Sequence, residues 1–523
     1  MSKKPSVNMN IIDRAIGVFS PASALERVQS RLKIQAMADS GYIATKSSKR
    51  SMRSANFKAQ DSDADDLTNL TKFHGVTRDL FRNHPIVSGA IGTMKYNIMG
   101  AGLTAQPQID NDFLGLSEDE ARVWEIKAGR YFNFWAQSQN ADAEHTSNFY
   151  ELQGIALTGT FVSGDIFAAL PYIERKDSPF SLAVRLIEAD MCSNPNGLKD
   201  TKSIAGGIEN DEYGAPIRYH FSKNHPSRRT GNKWIPIDVF ADNGRRNVLH
   251  IFEKHRPYQR RGISVLAPVV EPLKQLGDYT QAELTAAVVS GLFTVFIKTE
   301  SGELPEGYDE DTTYQDSDDL SEINLEAGSV IGLAEGESIE TANPNRPNTA
   351  FDPFVSAILR HVGAALHLPY EVLIKHFSSS YSASRGALLE AWKMFRARRV
   401  WFSDRFCQPI YEEVIKEAVM LGYLPAPGFL DDPMVMKAYC GCTWNGPGQA
   451  QLNPLQETKA AKMKVEEAFS TRTKEAAEMN GTDFNANAKT AKQETKTYKE
   501  TGLIEVRDGA SDQNTMTTEV NNE

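Results

Sequence analysis

Arg256-Pro257-Tyr258-Gln259-Arg260-Arg261-Gly262-Ile263-Ser264 divides this 523-residue sequence into two regimes. Before it, short β-rich segments alternate with helical patterns. Phe161 to Ile173 and Leu182 to Ile187 are separated by Asp177-Ser178-Pro179, Ile204 to Phe221 folds about the turn Asp211-Glu212-Tyr213-Gly214, and Val248 to Phe252 forms a further strand. After it, Leu273, Leu276, Thr280, Leu284, Ala287, Val288 and Gly291 recur at three- and four-residue steps, with Pro268 and Pro272 confining the regular helix to the residues beyond them. The fold class is therefore α+β, with long helices in the second half.

Working outward toward the N-terminus, apolar residues at helical spacing from Asp66 to Met99 are interrupted by Pro85 and stopped by Gly100 and Gly102, which predicts two helices. Ser117 with Glu120 predicts a capping box opening a third, which carries Trp124, Phe132 and Trp135. Residues 149–157 are also helical in pattern. Residues 1–60 hold eleven Lys and Arg against three Asp and Glu, few aromatics and many Ser and Ala. They form either a solvated arm or a docking segment for an acidic partner.

Toward the C-terminus, Phe293 to Ile297 alternates like a strand. Glu300 to Glu322 then contains ten acidic residues and no basic one, and Ser329 to Leu333 is another short strand. A helix from Thr349 to Leu366 ends at Leu368-Pro369-Tyr370, and the serine-rich loop Lys375-His376-Phe377-Ser378-Ser379-Ser380-Tyr381 comes next. Ser384 is expected to cap the next helix, which runs to about Leu421 with Gly422 just beyond and a kink at Pro409. The chain from Pro425 to Gly448 is expected to be loop, Pro454 to Gly502 helical, and the last residues a disordered polar tail.

The net charge of −11 argues at first against nucleic acid, whose non-specific binding depends on Lys and Arg neutralising phosphates. Its distribution matters more. Between Ser384 and Ile410 six basic residues face two acidic ones, and at 100° per residue Arg385, Lys393, Arg396 and Arg399 share about a third of the helix circumference. Such a stripe is a solvated face, a set of inter-subunit ion pairs, or a phosphate contact.

Catalytic motifs are missing: there is no phosphate-binding G-x-x-x-x-G-K-[ST], no G-x-S-x-G and no H-E-x-x-H. His361 and His367, six residues apart, fall on different sides of a helix, and Cys440 with Cys442 lacks the second pair of a zinc site. Glu188 and Asp190, with His220 and His225, are the best remaining carboxylate and histidine group, and they keep a metal-dependent nuclease open as the alternative function. The longest apolar run, Leu284 to Ile297, is too short and too interrupted to span a bilayer, and the N-terminus lacks the apolar core of a signal peptide. Neither cofactor nor metal is expected, and synthesis is expected in the cytoplasm.

An ordered series of segments resembles the portal proteins of lambda-type tailed bacteriophages. Thr77 to Pro85, Asn97 to Gly102, Gly164-Asp165, Ile187-Glu188-Ala189-Asp190 and Gly207-Ile208-Glu209 occur in the family's order. Arg256 to Ser264 is the most specific, with a tyrosine where a small residue usually follows the proline, and Tyr381-Ser382-Ala383-Ser384-Arg385-Gly386-Ala387 is similar to the family's tyrosine-serine-x-x-arginine segment. The resemblance spans about residues 70 to 505.

It implies a non-enzymatic ring, commonly of twelve copies, at one capsid vertex of the virion, nucleating head assembly and passing double-stranded DNA inward during packaging and outward at ejection. It implies a basic arm over 1–65, a wing over 66–261, a first stem helix over 262–292, a clip over 293–346 and a second stem helix over 347–374. A tunnel loop over 375–383, a kinked helix returning to the wing over 384–450, a helical crown over 451–505 and a tail over 506–523 complete the layout. The acidic residues Glu303, Glu306, Asp309, Glu310 and Asp311 would face the large terminase subunit and the head-completion adaptor. Major capsid and scaffolding proteins are further implied partners.

Overall fold

The computed structural model describes residues 59–228, 233–291, 295–299, 337–341, 351–377, 380–449 and 453–501, with scattered positions between 16 and 30. Met1–Asp61 and Ser62–Glu523 are separate compact units, and the second holds all the elements named below.

Helix α1 (Ser62–Asp66) leads to α2 (Leu70–Asn83) and α3 (Pro85–Ile98). Pro85 occupies the first turn of α3, where its missing N–H costs nothing, so the expected interruption is a clean joint at His84. Strand β1 (Thr104–Pro107) and the short α4 (Asn111–Leu114) precede α5 (Glu118–Gln137). The predicted capping box is present, with Ser117 Oγ accepting from the Glu120 N–H at 3.3 Å and the Glu120 carboxylate accepting from the Ser117 N–H at 3.0 Å. Ala121, Trp124, Ala128, Phe132 and Trp135 form the buried face of α5.

Helix α6 (Phe149–Ser163) runs six residues past its expected end, and Phe161 belongs to it rather than to a strand. The run Phe161 to Ala169 is buried along nearly its whole length, so it lacks the alternation that separates helix from strand. Gly164, at φ +95°, makes the switch, and β2 (Asp165–Ala169) begins only after it.

Strands β3 (Arg185–Glu188), β4 (Ile204–Ala205), β5 (Ile208–Asn210), β6 (Pro216–Ser222), β7 (Trp234–Asp238) and β8 (Val248–Phe252) complete the first half. β2 lies between β3 and β8 in one antiparallel sheet, and β4-β5-β6-β7 form a second, in which the expected turn at Asp211 to Gly214 joins β5 to β6. A small core of Phe167, Tyr219, Phe221, Val239 and Val248 joins the two sheets.

Helix α7 (Val270–Gly291) comes after a 3₁₀ turn at Ala267–Val269, with Pro272 tolerated in its first turn. It buries Leu273 and Leu276, and Tyr279 packs on Phe351 and Phe354 of α8 (Phe351–Ala365) at ring separations of 5.6 and 4.9 Å. Between them, β9 (Val295–Thr299) pairs antiparallel with β10 (Glu337–Thr341). β9 covers the described part of the strand expected at Phe293 to Ile297, while Phe293, Thr294 and the strand expected at Ser329 to Leu333 lie outside the described residues.

A five-residue helix α9 (Tyr370–Ile374) comes next, where the sequence pattern reads Pro369 as a stop. That proline instead stands just ahead of the helix it starts, with φ near −54°. Beyond it lie α10 (Tyr381–Phe402), a π-turn at Ser403–Cys407, and α11 (Gln408–Met420), capped at Leu421 before Gly422. The break expected at Pro409 takes this form because proline cannot donate to the preceding turn and its ring crowds the carbonyl four residues back, so a wider turn absorbs both. Phe395, Phe402, Phe406, Ile410, Tyr411 and Val414 bury this helix in the main core beside Phe132 and Phe149.

Residues 425–448, expected as loop, contain α12 (Pro433–Tyr439) and β11 (Cys442–Asn445), and β11 pairs with β1 across more than 330 residues. Four-residue strands whose partner is so distant leave no local hairpin signal. Helices α13 (Pro454–Glu466), α14 (Arg472–Asn480) and α15 (Phe484–Thr501) close the described chain, within the stretch predicted helical.

The two halves meet at Arg261. Its guanidinium is 1% exposed and uses all five N–H donors: Nε on Asp165 at 2.6 Å, one terminal nitrogen on the carbonyls of Cys192 and Gly206 at 2.9 Å each, and the other on Asp165 at 3.2 Å and the Ala189 carbonyl at 2.7 Å. His250 lies 3.0 Å from the same carboxylate, and the Gly262 N–H donates to it at 3.2 Å. Burial opposes ionisation of Asp165, but the Arg261 charge and the hydrogen bonds from His250 and Arg261 together outweigh it and hold the carboxyl far below the ordinary range.

Gly262 passes so close to Gly164 that a Cβ there would stand 2.1 Å from the Gly164 oxygen. Ser264 Oγ donates to the Phe161 carbonyl at 2.9 Å. The segment Arg256 to Ser264 thus welds the end of α6, the start of β2 and the loop after β3 to the root of α7. Removing one partner of a buried, hydrogen-bonded ion pair costs about 3–5 kcal/mol. Arg261→Met is expected to lower subunit stability by that order in urea titrations monitored by Trp fluorescence, whereas Arg256→Met, at an exposed pair with Asp65, is expected to change it by less than about 1 kcal/mol.

Candidate functional site

The serine-rich loop is carried by two helix ends. Gly363 of α8 lies against the returning chain, where a Cβ would stand 2.6 Å from the Leu368 oxygen. Lys375, at φ 57°, ends α9, and the His376 N–H donates to the Glu371 carbonyl at 3.1 Å. Lys375, His376 and Phe377 are exposed, while Ser378 and Ser379 lie outside the described residues.

Ser380, not Ser384, caps α10: its Oγ accepts from the Ala383 N–H at 3.4 Å. Either serine fits a cap by type; the three residues Tyr381 to Ala383 take helical backbone and extend the helix by nearly one turn. Tyr381 therefore stands on the helix, exposed beside the loop, and the irregular segment is shorter than the sequence implied.

The basic stripe divides into committed and open positions. Arg399 is half-buried, donating to the carbonyls of Ile98 at 2.7 Å, Asn97 at 3.0 Å and Pro447 at 2.9 Å. It thereby serves the carbonyl end of α3, where unpaired acceptors and the helix dipole favour a cation. Burial, and then the like charge of Arg396, lower its pKa to about 10, so it stays protonated at neutral pH.

Three of the Arg399 donors are thus engaged within its own chain. Arg396 pairs with Glu478 of α14 at 2.7 Å, and Lys393 with Glu390 at 2.7 Å on the surface. Arg385 is exposed at the loop end of α10. Helical spacing places these four on one face but carries no sign of Asn97, Pro447 or Glu478, which are far away along the chain.

Asp190, Glu188 and His225 do come together, with ligand-type atoms within 4.8 Å of one another. The group is nevertheless arranged as an ion-pair site. Asp190 is buried against His74 at 3.0 Å and the Arg78 guanidinium, whereas Glu188 is exposed and 3.9 Å from His225. His220 lies apart, 3.4 Å from Glu209. A divalent cation at Asp190 would meet the positive charge of Arg78, which already supplies what the carboxylate needs. The acidic residues Glu303, Glu306, Asp309, Glu310 and Asp311 lie outside the described residues.

The family model described as phage portal protein, lambda family, matches residues 48–399. The chain belongs to that family of phage portal proteins. It is similar to portal protein B of Escherichia phage lambda, with 24% identity over 458 residues covering 83% of this chain and 85% of that one. The portal protein of Escherichia phage N15 is 23% identical over the same shares.

Among solved structures, the chain is similar to one from the virion of a native gene transfer agent particle, at TM-score 0.43 and 11% identity, covering 78% of this chain and 92% of that chain. Another comes from the neck of a native gene transfer agent particle computed with C12 symmetry, at TM-score 0.41 and 12% identity, over 78% and 92%.

Two measurements separate the internal role of these groups from a surface role. Arg399→Ala is expected to cost at least about 2 kcal/mol of subunit stability in chemical denaturation, since charge-assisted hydrogen bonds contribute about 1.5–3 kcal/mol each, while Arg385→Ala should be neutral. For Asp190, burial raises the pKa, but the His74 hydrogen bond and the charges of His74 and Arg78 bring it down to about 2. A depressed carboxylate stabilises the fold above its unfolded pKa of about 3.9 and loses that contribution as pH falls toward the folded value. The stability difference between wild type and Asp190→Asn is therefore expected to be constant near neutrality and to shrink between about pH 4 and 2.

Proposed function

We propose that this portal protein acts without catalysis, as a ring of twelve subunits through which double-stranded DNA enters the head and later leaves it. The observation that carries this is membership of the lambda portal family over residues 48–399, with 85% of the lambda protein's length covered. As a phage portal protein the chain is a component of the virion.

Within that reading the two α+β sheets and α10–α11 belong to the wing, α7 and α8 to the stem, the β9–β10 pair to the start and end of the clip, and α13–α15 to the crown. Residues 375–381 and Arg385 would border the channel. Sparse, adjustable contacts suit a sleeve that must let DNA of every sequence slide, because phosphate contacts position DNA without reading it and tight binding would stall it. Lys393 is available for DNA or for a neighbouring subunit. The acidic segment Glu303 to Asp311 would face the large terminase subunit, which supplies the ATP hydrolysis that this chain has no phosphate loop to perform, and later the head-completion adaptor. Capsid and scaffolding proteins would surround the wing during head assembly.

The stem supports the ring most directly. Beyond Leu276 no described side chain of α7 is buried within the subunit, and Leu284 and Val288 are more than half exposed, as is nearly half of Phe354 on α8. Long apolar faces left open in a monomer are interface candidates. Leu284→Glu together with Val288→Glu is expected to leave the subunit folded by circular dichroism but abolish rings in negative-stain images. Wild-type protein that stays monomeric at every salt concentration, or a double variant that still forms rings, would count against the assignment.

A further inference from the structure

Helix α15 contributes nothing to the subunit core: none of its eighteen residues is buried. Polar helices of this length are marginal on their own in water, and sequences that need only solubility mix their charges around the circumference. α15 does not. Its lysines are Lys489, Lys492, Lys496 and Lys499, spaced three, four and three residues apart. At 100° per residue they fall within about 80° of arc, and they extend about 15 Å along the axis. Of its two glutamates, Glu494 lies on the far side, and Glu500 pairs with Lys496 at 3.7 Å at the C-terminal end. The same chain carries a net charge of −11, so the stripe is a local reversal of sign.

A straight row of flexible ammonium groups matches a polyanion with closely repeated charges and no fixed directional demand. Phosphates of one strand of duplex DNA recur about every 3.4 Å along the axis, so the row spans about four to five of them. Lysine, as a compact point charge on a long stem, lacks the planar fork that reads bidentate partners. The chemistry therefore suits sequence-independent contact.

We propose that the lysine face of α15 is a contact site for the backbone of duplex DNA, separate from residues 375–385. This rests on the channel reading, in which the DNA passing through the ring reaches the crown, and it adds a DNA contact on the C-terminal helices. The four lysines are exposed in the subunit, and none of the helix is taken up by core packing.

The test uses the full-length chain in whatever assembly it forms, with a fluorescent duplex of about 30 base pairs followed by anisotropy from about 50 to 200 mM salt. Lys489→Gln, Lys492→Gln and Lys499→Gln combined should weaken binding at least about tenfold at the lower salt. The slope of log affinity against log salt should fall by about 2.7, or about 0.9 per lost contact. The corresponding triple Lys→Arg variant should bind as wild type. Lys127→Gln, Lys459→Gln and Lys462→Gln combined, which removes the same charge elsewhere, should change affinity less than about twofold.

Unchanged affinity and slope in the α15 Gln variant overturn the proposal, as does equal weakening by the control triple or loss of binding in the Arg variant. Negative-stain images of the same samples test the ring separately: wild-type rings that bind duplex independently of α15 sink this inference alone, and absence of rings sinks the reading beneath it.

Discussion

The first half of the chain is organised around the pair Arg261 and Asp165. A guanidinium removed from water is tolerable only when its charge is matched and each N–H has an acceptor. Here the acceptors come from residues 165, 189, 192 and 206, more than fifty residues away along the chain. Satisfying one side chain therefore dictates where the β2-containing sheet, the loop after β3 and the entry to the second sheet must lie. Since Gly262 and Ser264 come immediately after and lock against Gly164 and Phe161, the direction in which α7 leaves the sheets of the first half is set by the same few atoms. A directional, fully hydrogen-bonded ion pair fixes that root in a way a non-directional apolar contact would not.

The kinked helix is a second organiser of a different kind. α10 and α11 lie along the main core through their aromatic face, while Arg396 and Arg399 tie the helix to α14, α3 and the Pro447 loop. The basic stripe is thus partly an internal brace, with its open positions toward the loop end. In the channel reading, contact with DNA falls to exposed groups in two places: the loop region beside Arg385 and the lysine face of α15. Position along α10 therefore separates bracing from surface roles within one stripe of like residues.

Much of the fold is legible in local pattern because local physics decides it. Ser117 with Glu120, the Pro85 joint, the Asp211 to Gly214 turn and Gly422 each use chemistry contained within a few residues, and each appears where expected. The segments where pattern and structure disagree share one cause. Phe161, Ser384, the α9 turn and β11 are decided by partners elsewhere or by equivalent local options: a fully buried run has no periodicity, two serines can both cap, and β11 exists only because β1 is presented to it.

The sequence by itself determined the class of the protein. An ordered series of motifs and an α+β half followed by long helices are properties of the chain's order, which folding does not alter. Only the tertiary structure decided what the charged residues do. Arginines share one chemistry in sequence, yet Arg261 is a buried weld, Arg399 a helix-end brace and Arg385 a surface charge. The energy of a charge depends on its dielectric surroundings and on acceptors brought from far along the chain, and neither is encoded in neighbouring letters.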